Sequence, residues 1–252
     1  MVDLFYSWIS KFKVAKGERY SHLGLDTFKG RYYISDDDTN EFHSRYFEHV
    51  FIKGLKCDLV EKHDNLCCLL YDLDFRIPKE YQDRAYNNDT LNSFIETVVR
   101  ISSKYVDHNN IPGTFDAFVC EKQQPTIKKE YQKDGVHIMF PYIVTEPSLQ
   151  HLIRQEVIID TKHLFPHCIN EIEDIVDENV LEKCGWMMYG SSKSDGFPYR
   201  LTGIWGYTDL DQIGQIPPSR ISNSEFYTPS VELVNLLSIR RFKIAEVSSI
   251  KE

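Results

Sequence analysis

Asp72 and Asp74 must share one face of any strand that carries them, because alternate residues of a strand point the same way. Two carboxylates so placed repel each other unless a cation lies between them. The apolar run Leu66 to Tyr71 leads straight into the pair, and Leu66 to Phe75 reads as a central strand buried on both faces. The acids therefore emerge from core structure, not from a solvated loop. Hard carboxylate oxygens suit Mg²⁺ or Mn²⁺ holding a triphosphate, and two such ions can clamp an in-line phosphoryl displacement.

Two further segments could complete such a site. In Lys133 to Pro141 a basic, glycine-containing turn leads into an apolar strand that begins near His137. Lys133 and His137 could donate to phosphate oxygens, and Gly135 would let a nucleotide approach the backbone. The alternative for a single strand histidine is a structural one. Gly185 to Lys193 reads as a strand ending in a small-residue turn that carries Lys193. No glycine directly precedes that lysine, which excludes a P-loop and an ATPase reading built on it. Upstream, Asp177 closes the acidic run Glu173 to Asp177, as a third metal-site acid or as part of a surface run.

The elements that must hold these residues alternate between helix and strand. Leu4, Trp8, Ile9 and Phe12 are spaced for a short amphipathic helix, and Gly30 to Ser35 for a strand. Thr39 would cap a helix burying Phe42, Tyr46, Phe47 and Val50, and Lys56 to Lys62 forms a strand. Asp89 caps a long helix to Val106, strands cover Phe115 to Glu121 and Gly135 to Val144, and Glu146 to Phe165 is helical up to Pro166. Trp186 to Ser191 and Tyr199 to Tyr207 read as paired strands, and Thr228 with Pro229 starts a last helix through Leu237. With 252 residues, the chain fits a single domain of two lobes, and the fold class is mixed α and β.

Charge and composition bound the partners. A net charge of −9 argues against coating of nucleic acid by a general positive field, yet basic residues cluster at Lys11 to Arg19, at Lys122, Lys128, Lys129 and Lys133, and at Arg240, Arg241 and Lys243. No apolar run is long enough to span a bilayer and the start does not look like a signal peptide, so the expectation is a soluble, intracellular protein. The six cysteines include no C-x-x-C pair and sit mostly in apolar runs, as reduced buried residues do. His163, His167 and Cys168 do not make a zinc site, because Pro166 breaks their spacing.

In this order, Tyr71 to Arg76, Gly135 to Pro141, and Asp177 followed by Trp186 to Lys193 resemble the motifs of the archaeo-eukaryotic primase superfamily, above all the primase domain at the N-terminus of viral primase-helicases. Tyr20 to His22, Gly30 to Ile34, Leu59 to Lys62 and Tyr199 to Leu201 also resemble family segments, so the similarity runs from about residue 20 to about residue 207. The resemblance implies an α+β fold of the archaeo-eukaryotic primase type, in which an N-terminal α/β lobe and a lobe built like an RNA-recognition motif hold the active site between them. It implies Asp72, Asp74 and Asp177 as catalytic ligands of two Mg²⁺ or Mn²⁺ ions, with Lys133, Gly135, His137 and Lys193 on the nucleotide. Gly135 stands where many family members have serine, which leaves the backbone as the contact there.

The expected activity is template-directed nucleotidyl transfer from nucleoside triphosphates on single-stranded DNA, as a primase or primase-polymerase in viral DNA replication. Arg76, Lys128 and Lys129 would track the template. A helicase domain or subunit is the expected partner, and the host-cell replication site the place of work. Residues 208–252 fall outside the resemblance and are expected as a helical extension. Two other readings stand beside this one. An Mn²⁺-dependent glycosyltransferase would use Asp72-Leu73-Asp74 but leaves Lys133, His137 and Lys193 without a role. A non-catalytic single-strand-binding module would show no metal dependence.

Overall fold

The computed structural model describes residues 4–81, 83–107, 113–182, 184–194, 196–221, 228–240, 248 and 250–251. Helix α1 (Leu4–Ile9) leads through the short strands β1 (Lys13–Val14), β2 (His22–Gly24) and β3 (Gly30–Tyr32) to α2 (Thr39–Phe47) and β4 (Leu59–Glu61). Then come β5 (Cys67–Pro78), α3 (Asn88–Tyr105), β6 (Ala117–Glu121), β7 (Thr126–Ile127), β8 (Tyr131–Thr145) and α4 (Pro147–Thr161). The last elements are α5 (Ile172–Ile175), β9 (Trp186–Met187), β10 (Arg200–Gly206), β11 (Ser219–Arg220) and α6 (Val231–Leu236). The fold is α+β, as the sequence leads one to expect.

The strands make two antiparallel sheets, ordered β1-β3-β2-β4-β9 and β11-β10-β6-β8-β5, with β7 paired to the start of β8. Within the second sheet the chain runs strand, helix, strand, strand, helix, strand through β5, α3, β6, β8, α4 and β10. Alternation along β5 then sorts its side chains. Tyr71, Leu73 and Phe75 point into a core shared with Phe94 and Val98 of α3 and Ile153 and Val157 of α4. Cys68 and Leu70 point the other way, into a second core that holds Tyr46, Trp186 and Leu233 and joins the two sheets. Buried Glu61 of β4 accepts hydrogen bonds from Ser238 Oγ and from the Ile239 N–H at 2.9 Å, so the chain just beyond α6 is tied to the first sheet.

Several expectations are corrected by the pairing. The apolar run of β5 is buried on both faces, yet β5 is an edge strand of its ladder and not a central one. Its free edge is closed by the segment 169–177: Ile169 N–H donates to Arg76 O (2.8 Å), the Asn170 side chain bonds Arg76 N–H and Asp74 O (both 2.9 Å), and Leu73 bridges Val176. Lys133 to Gly135 form no turn but lie within β8, because the long β5 pairs with that strand as far as Tyr131. The strands at Trp186 and Tyr199 do not pair with each other; β9 joins β4 in one sheet and β10 joins β6 in the other. The helix caps lie elsewhere too. Asn87, not Asp89, caps α3 by accepting from Thr90 N–H, Ser230, not Thr228, caps α6, and Thr39 is already helical behind Asp38.

The cysteines are unpaired, with Cys57, Cys67, Cys68 and Cys120 buried, Cys168 half-buried and Cys184 exposed. Residues 191–194 and 196–199 carry no helix, so the turn before Lys193 lacks the helix that a P-loop opens. After residue 207 the described chain adds β11 to the second sheet and α6 to the core between the sheets. Arg241 and Lys243 lie outside the described residues.

Candidate active site

Strand pairing brings the separate sequence motifs onto one surface. Across the β5–β8 ladder Asp72 lies opposite His137, Asp74 opposite Gly135 and Arg76 opposite Lys133. All occupy the face of the second sheet that looks toward the first, because they alternate with the residues of the helix-covered core. Asp177 arrives from the edge segment. Its N–H donates to Asp72 O (3.0 Å), and its carboxylate accepts from Asn179 N–H (2.9 Å) and Asn179 Nδ2 (2.7 Å). One carboxylate oxygen from each of Asp72, Asp74 and Asp177 then lies within 4.8 Å of the others. Glu173 and Asp174, the rest of the acidic run, are exposed.

These three carboxylates fit a divalent cation. Asp72 Oδ1 is buried and has no hydrogen-bond partner among the described residues. Burial first, then the charges of Asp74 and Asp177, pushes the Asp72 carboxyl from 3.8 up to about 8, against the opposing charges of Lys122 and Lys133. A carboxylate so crowded and so poorly solvated calls for hard positive charge, and the all-oxygen donor set is the one Mg²⁺ or Mn²⁺ takes.

The basic side chains differ in how they meet this centre. Lys133 Nζ pairs with Asp74 Oδ2 at 2.8 Å. His137 Nε2 is 3.6 Å from Asp72 Oδ1, and its ring is held between Tyr199 (centroids 3.5 Å apart, planes at 15°) and Trp186 (4.3 Å). Burial, aided by the charges of Lys122 and Lys193, holds the His137 imidazole well below 6.5, so it is neutral at physiological pH. Lys193 is exposed on the loop after β9, where its charge reaches His137. Arg76 is exposed, with its guanidinium 5.8 Å from the Tyr131 ring centre. Lys128 and Lys129 sit in the β7–β8 hairpin, farther along the same strands, with Lys129 exposed and Lys128 half-buried.

Six supporting residues had no role assigned from the sequence. Arg154 of α4, buried, donates from Nε to Val176 O (2.8 Å) and from Nη2 to Glu173 O (2.8 Å), which fixes the segment carrying Asp177. Asn170 holds the edge of β5, and Tyr199 and Trp186 clasp His137. Behind Gly135, fully buried Asp134 takes a two-pronged bond from Arg84 (2.8 and 2.7 Å) on the opposite face of the sheet. No sequence spacing announces these contacts, since each spans at least 19 residues.

Comparison with known proteins decides the family. The family model described as "C962R protein N-terminal AEP domain", an archaeo-eukaryotic primase domain, matches residues 21–205. The chain belongs to this family. Among curated proteins, "Putative helicase L207/L206" of Acanthamoeba polyphaga mimivirus is 35% identical over 207 residues, covering 78% of this chain and 21% of that protein. "Putative helicase 121R" of Invertebrate iridescent virus 3 is 28% identical over 257 residues, covering 92% of this chain and 27% of its own length. The chain thus spans only about a fifth to a little over a quarter of the length of these curated relatives. An archaeo-eukaryotic primase domain among viral relatives supports a primase-like nucleotidyltransferase role in viral replication. Among the described residues no helix is long and apolar enough to cross a membrane.

Proposed function

We propose that this chain joins nucleoside triphosphates into a strand on a single-stranded DNA template, and that Asp72, Asp74 and Asp177 are its catalytic acids. The observation that carries the reading is their convergence from two separate segments onto one point, beside Lys133, His137 and Lys193. The three carboxylates would hold two Mg²⁺ or Mn²⁺ ions, which would lower the pKa of the attacking 3′-hydroxyl and neutralise charge on the triphosphate. Lys133, released from Asp74, and Lys193 would bind phosphate oxygens, and neutral His137 would donate one hydrogen bond to them. Gly135 would offer its backbone. Attack on the α-phosphate would then expel pyrophosphate. Arg76 and the hairpin lysines Lys128 and Lys129 extend the basic surface along the strands, where a template could lie.

We read residues 1–252 as one catalytic domain working beside a helicase at the viral replication site, as the names of the longer relatives favour. Neither a glycosyltransferase nor a passive binding module gains support from the family match. Incubation with labelled nucleotides, single-stranded DNA and Mn²⁺ tests the proposal. Template-dependent oligomers are expected, and their absence, or undiminished synthesis by Asp72→Ala, would remove it.

A further inference from the structure

Lys122, in sequence only a member of a basic cluster, lies inside the site. It follows directly on β6, whose Glu121 pairs with Val136, so it stands beside Gly135 on the next strand over. Asp74, Gly135 and Lys122 therefore form one row across β5, β8 and β6. The outer two backbones are about 10 Å apart by ordinary strand spacing. Lys122 Nζ lies only 3.4 Å from where a Cβ on Gly135 would be, so it reaches back along the row toward the acids.

Two features keep this ammonium in place. It rests over the Tyr199 ring, 4.9 Å from the centroid, and that ring is itself stacked on His137. The Tyr199 hydroxyl fills the hollow at Gly135, 2.6 Å from the Cβ point, so any side chain at residue 135 would displace it. Unlike Lys133, half-buried Lys122 has no ion-pair partner among the described residues. A cation that rests on an aromatic ring without an ion pair among the described residues, in the row that holds the metal-site acid Asp74 and with its charge felt there and at Asp72, is placed for an anionic ligand that spans the row.

We infer that Lys122 is a further triphosphate-binding residue, contacting the end of the phosphate chain remote from Asp72 and Asp74, and that Tyr199 positions it. The inference rests on the nucleotidyltransferase reading above. On this assignment a triphosphate running from the acids along the row meets Lys122, and a monophosphate held at the acids does not. The residue thereby selects for the length of the phosphate chain.

Calorimetric titration of a non-hydrolysable nucleoside triphosphate and the matching monophosphate, both with Mn²⁺, tests this on the full chain. Lys122→Met should weaken triphosphate affinity about tenfold or more, the scale of one hydrogen bond to a charged group. Monophosphate affinity should stay within about twofold, since the shorter ligand does not meet the lysine. Tyr199→Leu should show the same selective loss and Tyr199→Phe, which keeps the ring, should recover most of it. Gly135→Ser, by pushing on the Tyr199 hydroxyl, should also cost triphosphate affinity. If the unchanged protein takes up triphosphate and Lys122→Met does so equally well, or loses both ligands alike, the assignment of Lys122 is overturned while the wider reading stands. If the unchanged protein takes up no triphosphate, both fall.

Discussion

At the scale of single residues, Asp72 concentrates the chemistry and its own instability. Replacement by Ala or Asn should abolish nucleotide addition, and so should Asp74→Ala and Asp177→Ala. Loss of Asp72 also removes repulsion, so the melting temperature of that variant in metal-free buffer should stay level or rise slightly, whereas Asp74→Ala loses the pair with Lys133 and Asp177→Ala the two hydrogen bonds from Asn179. The titration gives an independent test. With a folded-state value of about 8 against an ordinary 3.8, the folded protein keeps a proton that the unfolded chain has lost between those two pH values. Stability without metal therefore falls as pH climbs through that window. A cation must displace the same proton, so Mn²⁺ affinity should rise by up to about tenfold per pH unit below pH 8 and then level off. A flat profile, measured by titration from pH 6 to 9, would mean that Asp72 is already ionised. His137 and Lys193 should separate in kinetics. Lys193→Ala removes a fixed charge and should raise KM, whereas His137→Ala should lower kcat by about 10², as loss of an oxyanion donor does.

At the scale of elements, the site depends on residues that stand behind it. Arg154→Met should leave Val176 O unpaired and free the Asp177 segment, lowering Mn²⁺ affinity by about 10- to 100-fold, as loss of a supporting partner does. Unchanged Mn²⁺ affinity in that variant would show that Asp177 is held without it. How much of this was readable in advance follows from what a linear pattern records. The period of two along Leu69 to Phe75 showed which face of β5 carries acids, and the spacing of Leu91, Phe94, Ile95 and Val98 showed the helix that covers the other face. Facial burial leaves its mark on composition. Lateral pairing does not, so β5 looked central when it lies at an edge, and Lys133 to Gly135 looked like a turn because Asp134, a charged residue, is buried there by Arg84. Asp177 could be nominated by its motif, but its approach to Asp72 depends on a backbone hydrogen bond between residues far apart in sequence. Lys122 and Tyr199 acquire meaning only through register.

At the scale of the whole molecule, the acidic net charge and the local basic surface make opposing demands on nucleic-acid binding. Affinity for single-stranded DNA should fall steeply with salt, because the strand meets clustered lysines and not the mean field. Reversal of charge at Lys128 and Lys129 should weaken binding and reduce the salt slope by about one for each phosphate that is no longer neutralised. An unaltered slope in that double variant would place the template elsewhere.

The first sheet is assembled from distant parts of the chain: β1 to β4 end at Glu61, yet their neighbour β9 begins at Trp186, and Glu61 waits for Ser238 and Ile239. Protein synthesis runs in one direction, so this arrangement sets a timetable. A nascent chain that has cleared the ribosome to about residue 180 already carries β5, β6, β8 and the two helices behind them, and with them all three acids. Trp186, Tyr199 and Lys193, which clasp and charge the surroundings of His137, emerge only afterwards. The acids, with Lys133 and His137 beside them, are thus made before the rings that clasp His137, and a truncated product ending near residue 180 would carry the acidic centre with that histidine unclasped.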